Sequence, residues 1–361
     1  MLVAAAEARP LRSLDGVRIE LGEGVVSLVG PNGAGKTNFL EALYFALTGR
    51  SFRTSDRREL IPFGAPLARA EAVVRDGDGI ERRLLASVSR SEGRRHLLDG
   101  SPAEPAELAR QRPPVAVFSP DRLSLVKGAP AERRAHLDRY VAARWPTRGG
   151  LRQRFGQALA QRNALLARIA GGGGGDLEIW DRAMADTAAE LVAARADAVD
   201  ELAAPFATAT DELGLAGGGS LEYAPRAAGS AEEIRAGLAE RREADLRLGR
   251  SSWGPHLDEL KILSAGRPLR RYGSQGQQRA ALLALLFAER DALLAARRVA
   301  PLLLLDDVMS ELDPQRRELL VDRLGSGGQA LITAAAEESV PPRALEQMVR
   351  MPLTTTHSVA A

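Results

Sequence analysis

The sequence predicts an α/β fold whose strand-forming parts lie toward both ends of the chain, with a helical arm inserted between them. Three observations carry that expectation. Residues 25–47 pass from an apolar strand through a glycine-rich turn into a helical pattern. Leu302-Leu303-Leu304-Leu305 is apolar on both faces, as a strand covered on both sides must be. After Pro120 strand signals give way to a long stretch rich in Ala, Leu, Arg and Glu.

At 361 residues the chain exceeds the ~250–300 at which one hydrophobic core stops growing, so more than one unit is expected. The boundaries read as 1–120, 121–250 for the arm, and 251–361. With 45% apolar and 27% charged residues, and no run approaching ~18 uncharged apolar residues, the chain is not expected to span a membrane. The start, MLVAAAEARPLRSLD, carries Glu7 and Arg9 without a cationic lead and makes a poor secretory signal, so a cytoplasmic location is expected. Zero cysteines exclude disulfides, thiolate zinc sites and a Cys nucleophile, and His96, His136, His256 and His357 show no ligand spacing. The net charge is only +2 although the isoelectric point is about 9.2, because few groups titrate near neutrality: Lys occurs only at Lys36, Lys127 and Lys261, and all other basic residues are Arg. Nucleic-acid binding must therefore be argued from where the Arg residues sit.

In chain order, Val17, Ile19 and Leu21 alternate as a strand, and Val25 to Val29 form a second that breaks at Gly30. A helix is expected from Thr37 to Leu47, ended by Thr48-Gly49. From about 70 to 118, the runs Ala72-Val74, Leu84-Val88 and Val115-Phe118, with turns at Asp76-Gly79 and Asp99-Gly100, predict two or three antiparallel strands. In the arm, apolar stripes through Leu151, Phe155, Leu159, Leu166 and Ile169, and through Trp180, Met184, Leu191 and Leu202, flank Gly171–Gly175. They predict a helical hairpin whose second arm, 176–204, would reach ~43 Å before Pro205 ends or kinks it. Strand texture resumes at Leu257–Leu263, and a long apolar helix is expected over Ala280–Ala296.

Gly30-Pro31-Asn32-Gly33-Ala34-Gly35-Lys36-Thr37 matches G-x-x-x-x-G-K-[ST] in the strand-to-helix setting that the phosphate-binding loop requires. Its backbone N–H groups and the helix N-terminus suit phosphates, Lys36 can reach the β- and γ-phosphates, and Thr37 can ligate Mg²⁺. ATP and Mg²⁺ are thus the expected cofactors. A carboxylate is needed to complete the metal site, and Asp306-Asp307 follow the apolar strand at its C-terminal end, where open α/β sheets place ligands. Asp306 is the candidate metal ligand, and the candidate catalytic residues are Asp307, which would orient the attacking water, and Lys36 on the phosphates.

Tyr272-Gly273-Ser274-Gln275-Gly276-Gln277 before a long helix resembles the signature motif of ABC-type ATPases, and Ser310-Glu311-Leu312-Asp313 is similar to their D-loop. The resemblance implies an ABC-type P-loop ATPase head, a Rossmann-like core plus antiparallel sub-sheet with an inserted helical arm. It also implies that Ser274, Gln275, Gly276, Gln277 and Asp313 contact ATP bound to the opposite protomer of a dimer. The 238 residues between Lys36 and Ser274 far exceed the transporter spacing and resemble the SMC-like DNA repair ATPases. The text GPNGAGKTN, GRSFR with ELI, FSPDRLSLVKGAP with Arg133-Arg134 and Leu137-Asp138, and Gly254-Pro255-His256 is similar to the RecF family. That resemblance implies an ATP-dependent homodimer that binds duplex DNA at gaps or junctions and works with RecR and RecO to load RecA.

Three departures from the ABC pattern stand out. Ala334-Ala335-Ala336 replaces the segment where many members carry a histidine toward the γ-phosphate, Asp307 stands where transporters have Glu, and Gln111 is the only Gln before residue 150 for a lobe-linking role. Slow hydrolysis is expected. A transporter ATPase subunit and an ATP-gated scaffold without useful turnover remain as alternatives. For DNA contact the candidates are Arg53, Arg57 and Arg58 beyond the P-loop helix, with Arg90, Arg94 and Arg95, and Arg267, Arg270 and Arg271, as comparable clusters.

Overall fold

The computed structural model describes residues 1–91, 93–119 and 123–351; Pro120, Asp121 and Arg122 of the family-like text, and His357, lie outside the described residues. The chain divides into two units, one of Met1–Arg122 with Arg297–Ala361 and one of Leu123–Ala296.

The first unit contains two sheets. An antiparallel sheet of order β2-β1-β4-β5-β6-β7 is built from β1 (Leu2–Ala8), β2 (Val17–Glu20), β4 (Leu67–Arg75), β5 (Glu81–Ser89), β6 (Gly93–Leu98) and β7 (Ser101–Pro102). A parallel sheet of order β14-β3-β13-β12-β8 holds β3 (Gly24–Val29), β8 (Val115–Phe118), β12 (Leu302–Leu305), β13 (Gln329–Ala334) and β14 (Met348–Arg350). Helix α1 (Lys36–Thr48) supplies much of their shared core, and Phe39 through Leu47 are buried without interruption. A helix buried on nearly every side needs cover on nearly every side, and the large apolar side chains Phe39, Leu40, Leu43, Phe45 and Leu47 each contribute ~1.5–3 kcal/mol of burial. The short α2 (Pro105–Arg110) precedes β8, and α11 (Pro314–Gly325) joins β12 to β13.

One expectation is corrected here, and one segment gains a place that the sequence did not assign. Val115–Phe118 is not an antiparallel strand: it forms an edge of the parallel sheet, paired with β12 with Leu305 opposite Phe118, where Ala116, Val117 and Phe118 are buried. The Ala-rich start, expected only to be a poor leader, forms β1 in the interior of the antiparallel sheet, paired with β2 and β4.

The second unit is mainly helical: α3 (Ser124–Lys127), α4 (Pro130–Arg144), α5 (Leu151–Ala170), α6 (Glu178–Glu212), α7 (Ala231–Glu240), α8 (Arg242–Leu248), α9 (Leu269–Tyr272) and α10 (Gln275–Arg297). A small antiparallel sheet joins β9 (Gly219–Ala224), β10 (Glu259–Ser264) and β11 (Arg267–Pro268). The α5–α6 hairpin turns at the glycine run as expected. However, α6 does not stop at Pro205 but continues to Glu212. Phe206 and Ala209, both fully buried beyond the proline, outweigh the lost backbone hydrogen bond. Met184 is core, as its spacing suggests.

The expected boundary at 250/251 falls inside this second unit, which runs to Ala296. Pairing explains the difference. Strand β10 is hydrogen-bonded to β9, and the buried Asp258 just before it accepts from Arg195 of α6 (2.9 Å), from the Tyr223 hydroxyl (2.5 Å) and from the Arg226 N–H. Arg195 also forks onto Asp138 of α4 at 2.8 and 3.1 Å, and Arg133 onto Glu259 at 2.7 and 3.0 Å. Much of the family-like text of this region thus takes part in folding the unit. A second buried network holds the hairpin: fully buried Arg162 reaches Asp181 (2.7 Å), Asp245 (2.6 Å) and the Ser251 hydroxyl (2.7 Å), with Arg242 completing the charge balance on Asp181. Among the described residues no helix is long and apolar enough to cross a membrane.

Candidate functional site

The parallel sheet places the first half of the site. Strand β3 delivers the chain into the loop at Gly30, whose missing Cβ leaves room for the Met351 carbonyl. Gly35 takes φ +88° at the start of α1, and a Cβ there would lie 2.6 Å from Leu14. The loop's own carbonyls hold Lys36, whose Nζ donates to Gly30 O (2.6 Å) and Pro31 O (3.0 Å). Burial lowers the Lys36 pKa from its ordinary value, while Asp307 and Asp306 act in the opposite direction.

Strand β13 separates β3 from β12, yet the two ends converge. The Thr37 hydroxyl donates to Asp306, 2.9 and 3.0 Å from its two oxygens, and the Asp306 N–H extends the β8 pairing to Phe118 O at 2.8 Å. Burial raises the Asp306 pKa, opposed by the hydrogen bonds from Thr333 and Thr37. Asp307 is exposed and sits at φ +49°, a left-handed conformation that Asp tolerates better than most residues. A hydroxyl and a carboxylate beside a phosphate-binding loop are hard oxygen donors, the set that suits Mg²⁺ held jointly with nucleotide phosphates. Lys36, Thr37, Asp306 and Asp307 are therefore brought together.

The signature segment folds as a capping box. Ser274 N–H donates to Gln277 Oε1 (2.9 Å) and Gln277 N–H to Ser274 Oγ (3.2 Å), which satisfies orphan donors at the start of α10. Gln275 and Gly276 are exposed in that first turn. Asp313 caps α11, accepting from Arg316 N–H at 3.0 Å. Both segments have intrachain roles that sequence reading did not assign.

The basic cluster divides. Arg53 donates to Asn38 Oδ1 (3.1 Å) and to the buried Glu41 (3.4 Å), which Arg12 also binds through two hydrogen bonds at 2.9 and 3.1 Å. Arg57 donates to Gly49 O at 2.9 Å, whereas Arg58 is exposed. Arg57 also lies in the fields of Arg50 and Arg94, so arginines far apart in sequence share one region.

Sequence reading missed Thr333. Its hydroxyl donates to Asp306 Oδ1 (2.8 Å) and accepts the Asp307 N–H (2.8 Å). No motif marks it: the contact follows from the pairing of β13 with β12.

A P-loop strand, an acid-tipped parallel strand one place removed, an antiparallel sheet over the P-loop helix and an inserted helical unit define the head of an ABC-type ATPase. The RecF/RecN/SMC N terminal domain family matches residues 3–358. The DNA replication and repair protein RecF of Streptomyces avermitilis is 38% identical, covering 91% of this chain and 92% of that protein. Its counterpart in Heliobacterium modesticaldum is 35% identical over 96% and 95%. A solved structure of the recombination mediator protein RecF-ATP in the RecFOR pathway superimposes with a TM-score of 0.86 at 28% identity, covering 94% and 93%. An SMC head bound to the C-winged helix domain of ScpA, with a TM-score of 0.57 at 17% identity, shares the fold. The chain belongs to the RecF family.

Proposed function

We propose that this protein is a DNA replication and repair ATPase in which ATP drives dimerisation and slow hydrolysis resets the dimer. One observation supports this above the others: the P-loop Thr37 and the strand-end Asp306 meet within hydrogen-bonding distance, although 269 residues apart in sequence. Lys36 and the loop N–H groups would hold the phosphates, and Thr37 and Asp306 the Mg²⁺, which when bound supplies neutralisation of phosphate charge. Asp307 would orient the attacking water, and the short carboxylate with no histidine at Ala334 accords with slow turnover. Ser274, Gln275, Gly276, Gln277 and Asp313 would act on the partner protomer's nucleotide, and DNA would bind to arginine-rich surface that includes Arg58. Function at gapped or junction DNA in the cytoplasm with RecR, RecO and RecA is the corresponding reading from the family.

The test is light scattering with and without ATP, in the presence and absence of gapped DNA. ATP should convert monomer to dimer in the parent chain, and Lys36→Met should abolish the conversion. Equal dimerisation of the two contradicts the assignment.

A further inference from the structure

We propose that Thr333 is the positioning residue of this ATPase centre, setting Asp306 and Asp307 through one hydroxyl; the inference rests on the ATPase reading above. The register dictates the contact. Strand β13 pairs in parallel with β12 as Leu303 with Ala330, Leu304 with Leu331 and Leu305 with Ile332, so one step further Asp306 stands beside Thr333. On its other side β13 pairs with β3, Ala334 opposite Val29, and Gly30 N–H bonds to Ala334 O at 3.2 Å. Thr333 is thus carried by the strand that lies between the P-loop and the acidic pair.

The hydroxyl works in both directions. Its proton goes to Asp306 Oδ1 at 2.8 Å, and its lone pair receives the Asp307 N–H at 2.8 Å. Thr333 is 1% exposed, so water does not compete for either bond, and its β-branched side chain is stiff about χ1. The first bond orients the carboxylate that Thr37 also contacts. Because Thr37 is the hydroxyl expected to turn to the metal, the Thr333 bond is the one left to hold Asp306 when nucleotide binds. The second bond fixes a backbone that is otherwise unfavourable: Asp307 lies at φ +49°, outside the broad allowed regions. Its carboxylate direction follows from that conformation. Ala334, next along the strand, has no side chain that could do either task. Thr333 does not reach the phosphate in place of a histidine; it acts on the acids from behind.

Three variants of the full chain test this. Thr333→Val removes the hydroxyl with little change of shape, and Thr333→Ser keeps it. Loss of a hydrogen bond to a charged group should lower kcat about 10–100-fold in the Val variant and raise the Mg²⁺ concentration for half-maximal binding of a fluorescent ATP analogue by about 10-fold. Affinity for that analogue in EDTA and KM for ATP at saturating Mg²⁺ should stay close to the parent, while the melting temperature without nucleotide should fall by several degrees because two buried hydrogen bonds are lost. Serine should restore kcat to within about threefold. Parental kcat in Thr333→Val, failure of Ser to restore it, or an EDTA affinity that falls as far as kcat would each overturn the proposal. Should the Val variant not fold, Thr333→Cys carries the test: its weak donor should give a kcat well below that of Ser, and equality overturns the role. Lys36→Met separates the two readings. A Lys36→Met chain that binds and hydrolyses ATP like the parent refutes the ATPase assignment itself, whereas an inactive Lys36→Met beside a parental Thr333→Val refutes only the role of Thr333.

Discussion

Ser274 has one role within the chain and a second proposed across the dimer, and one pair of substitutions can separate them. Within the chain it forms a capping box with Gln277 at the start of α10, a contact whose removal costs ~1 kcal/mol. At about 2–4 °C per kcal/mol for a unit of this size, Ser274→Ala should lower the melting temperature by only a few degrees. The loss is small because 23 residues of α10 follow the cap and most of its apolar face is buried. Ser274→Arg removes the same cap and adds a long cation where the partner's nucleotide is proposed to sit. In fluorescence titration both variants should bind ATP as monomers with nearly parental affinity if, as proposed, the hydroxyl serves the opposite protomer. In light scattering Ser274→Arg should show no ATP-dependent dimer, and Ser274→Ala a weakened one. If monomer affinity falls as far as dimerisation, the motif acts within its own chain and the trans assignment is wrong. A melting loss above ~10 °C in the alanine variant would show that the cap holds far more than one helical turn.

Other outcomes follow from named contacts. Asp307→Asn should slow hydrolysis and prolong the ATP dimer, because Asp306 remains while the water loses its orienting carboxylate; a short-lived dimer by light scattering removes Asp307 from the mechanism. Affinity for duplex DNA should fall more steeply with salt in the ATP state than without nucleotide, since a dimer doubles every basic cluster and each neutralised phosphate adds ~0.9 to the slope. Substituting Arg58 should flatten that slope, while Arg53→Met should chiefly destabilise the chain by weakening the Glu41 contact; identical slopes in both nucleotide states refute the ATP-dependent gain of phosphate contacts. His96, half-buried beside Gly49 and near Arg94 and Arg57, has its pKa lowered to about 4, chiefly by that burial. The unfolded chain therefore binds the extra proton, so stability on the order of 1–2 kcal/mol, screened by solvent, is present above pH ~6.5 and lost as pH falls toward 4. Denaturant midpoints of the parent and His96→Gln at pH 7 and pH 5 check this, and equal pH dependence of the two excludes the histidine as its source.

The chemistry of the site was legible in the sequence because short contiguous motifs encode it. Gly30 to Thr37 form their loop from local backbone requirements alone, and Asp306-Asp307 are placed by the apolar run before them. The helical hairpin was legible for the same reason, since periodicity and a glycine run are local signals. What sequence could not decide was which strands are neighbours. Val115–Phe118 joins the parallel sheet, Leu2–Ala8 enters the antiparallel one, and β13 brings Thr333 to Asp306 across 27 residues, all by pairing between distant segments. Nor could it decide which charges are spent inside the chain. Arg12 and Arg53 meet on Glu41, and Arg195 joins Asp138 to Asp258, so residues that read as surface cations or family text are structural ion pairs. A charge in a sequence has no partner until the fold supplies one, and burial then makes that partner obligatory, because an unpaired ion in the interior costs several kcal/mol.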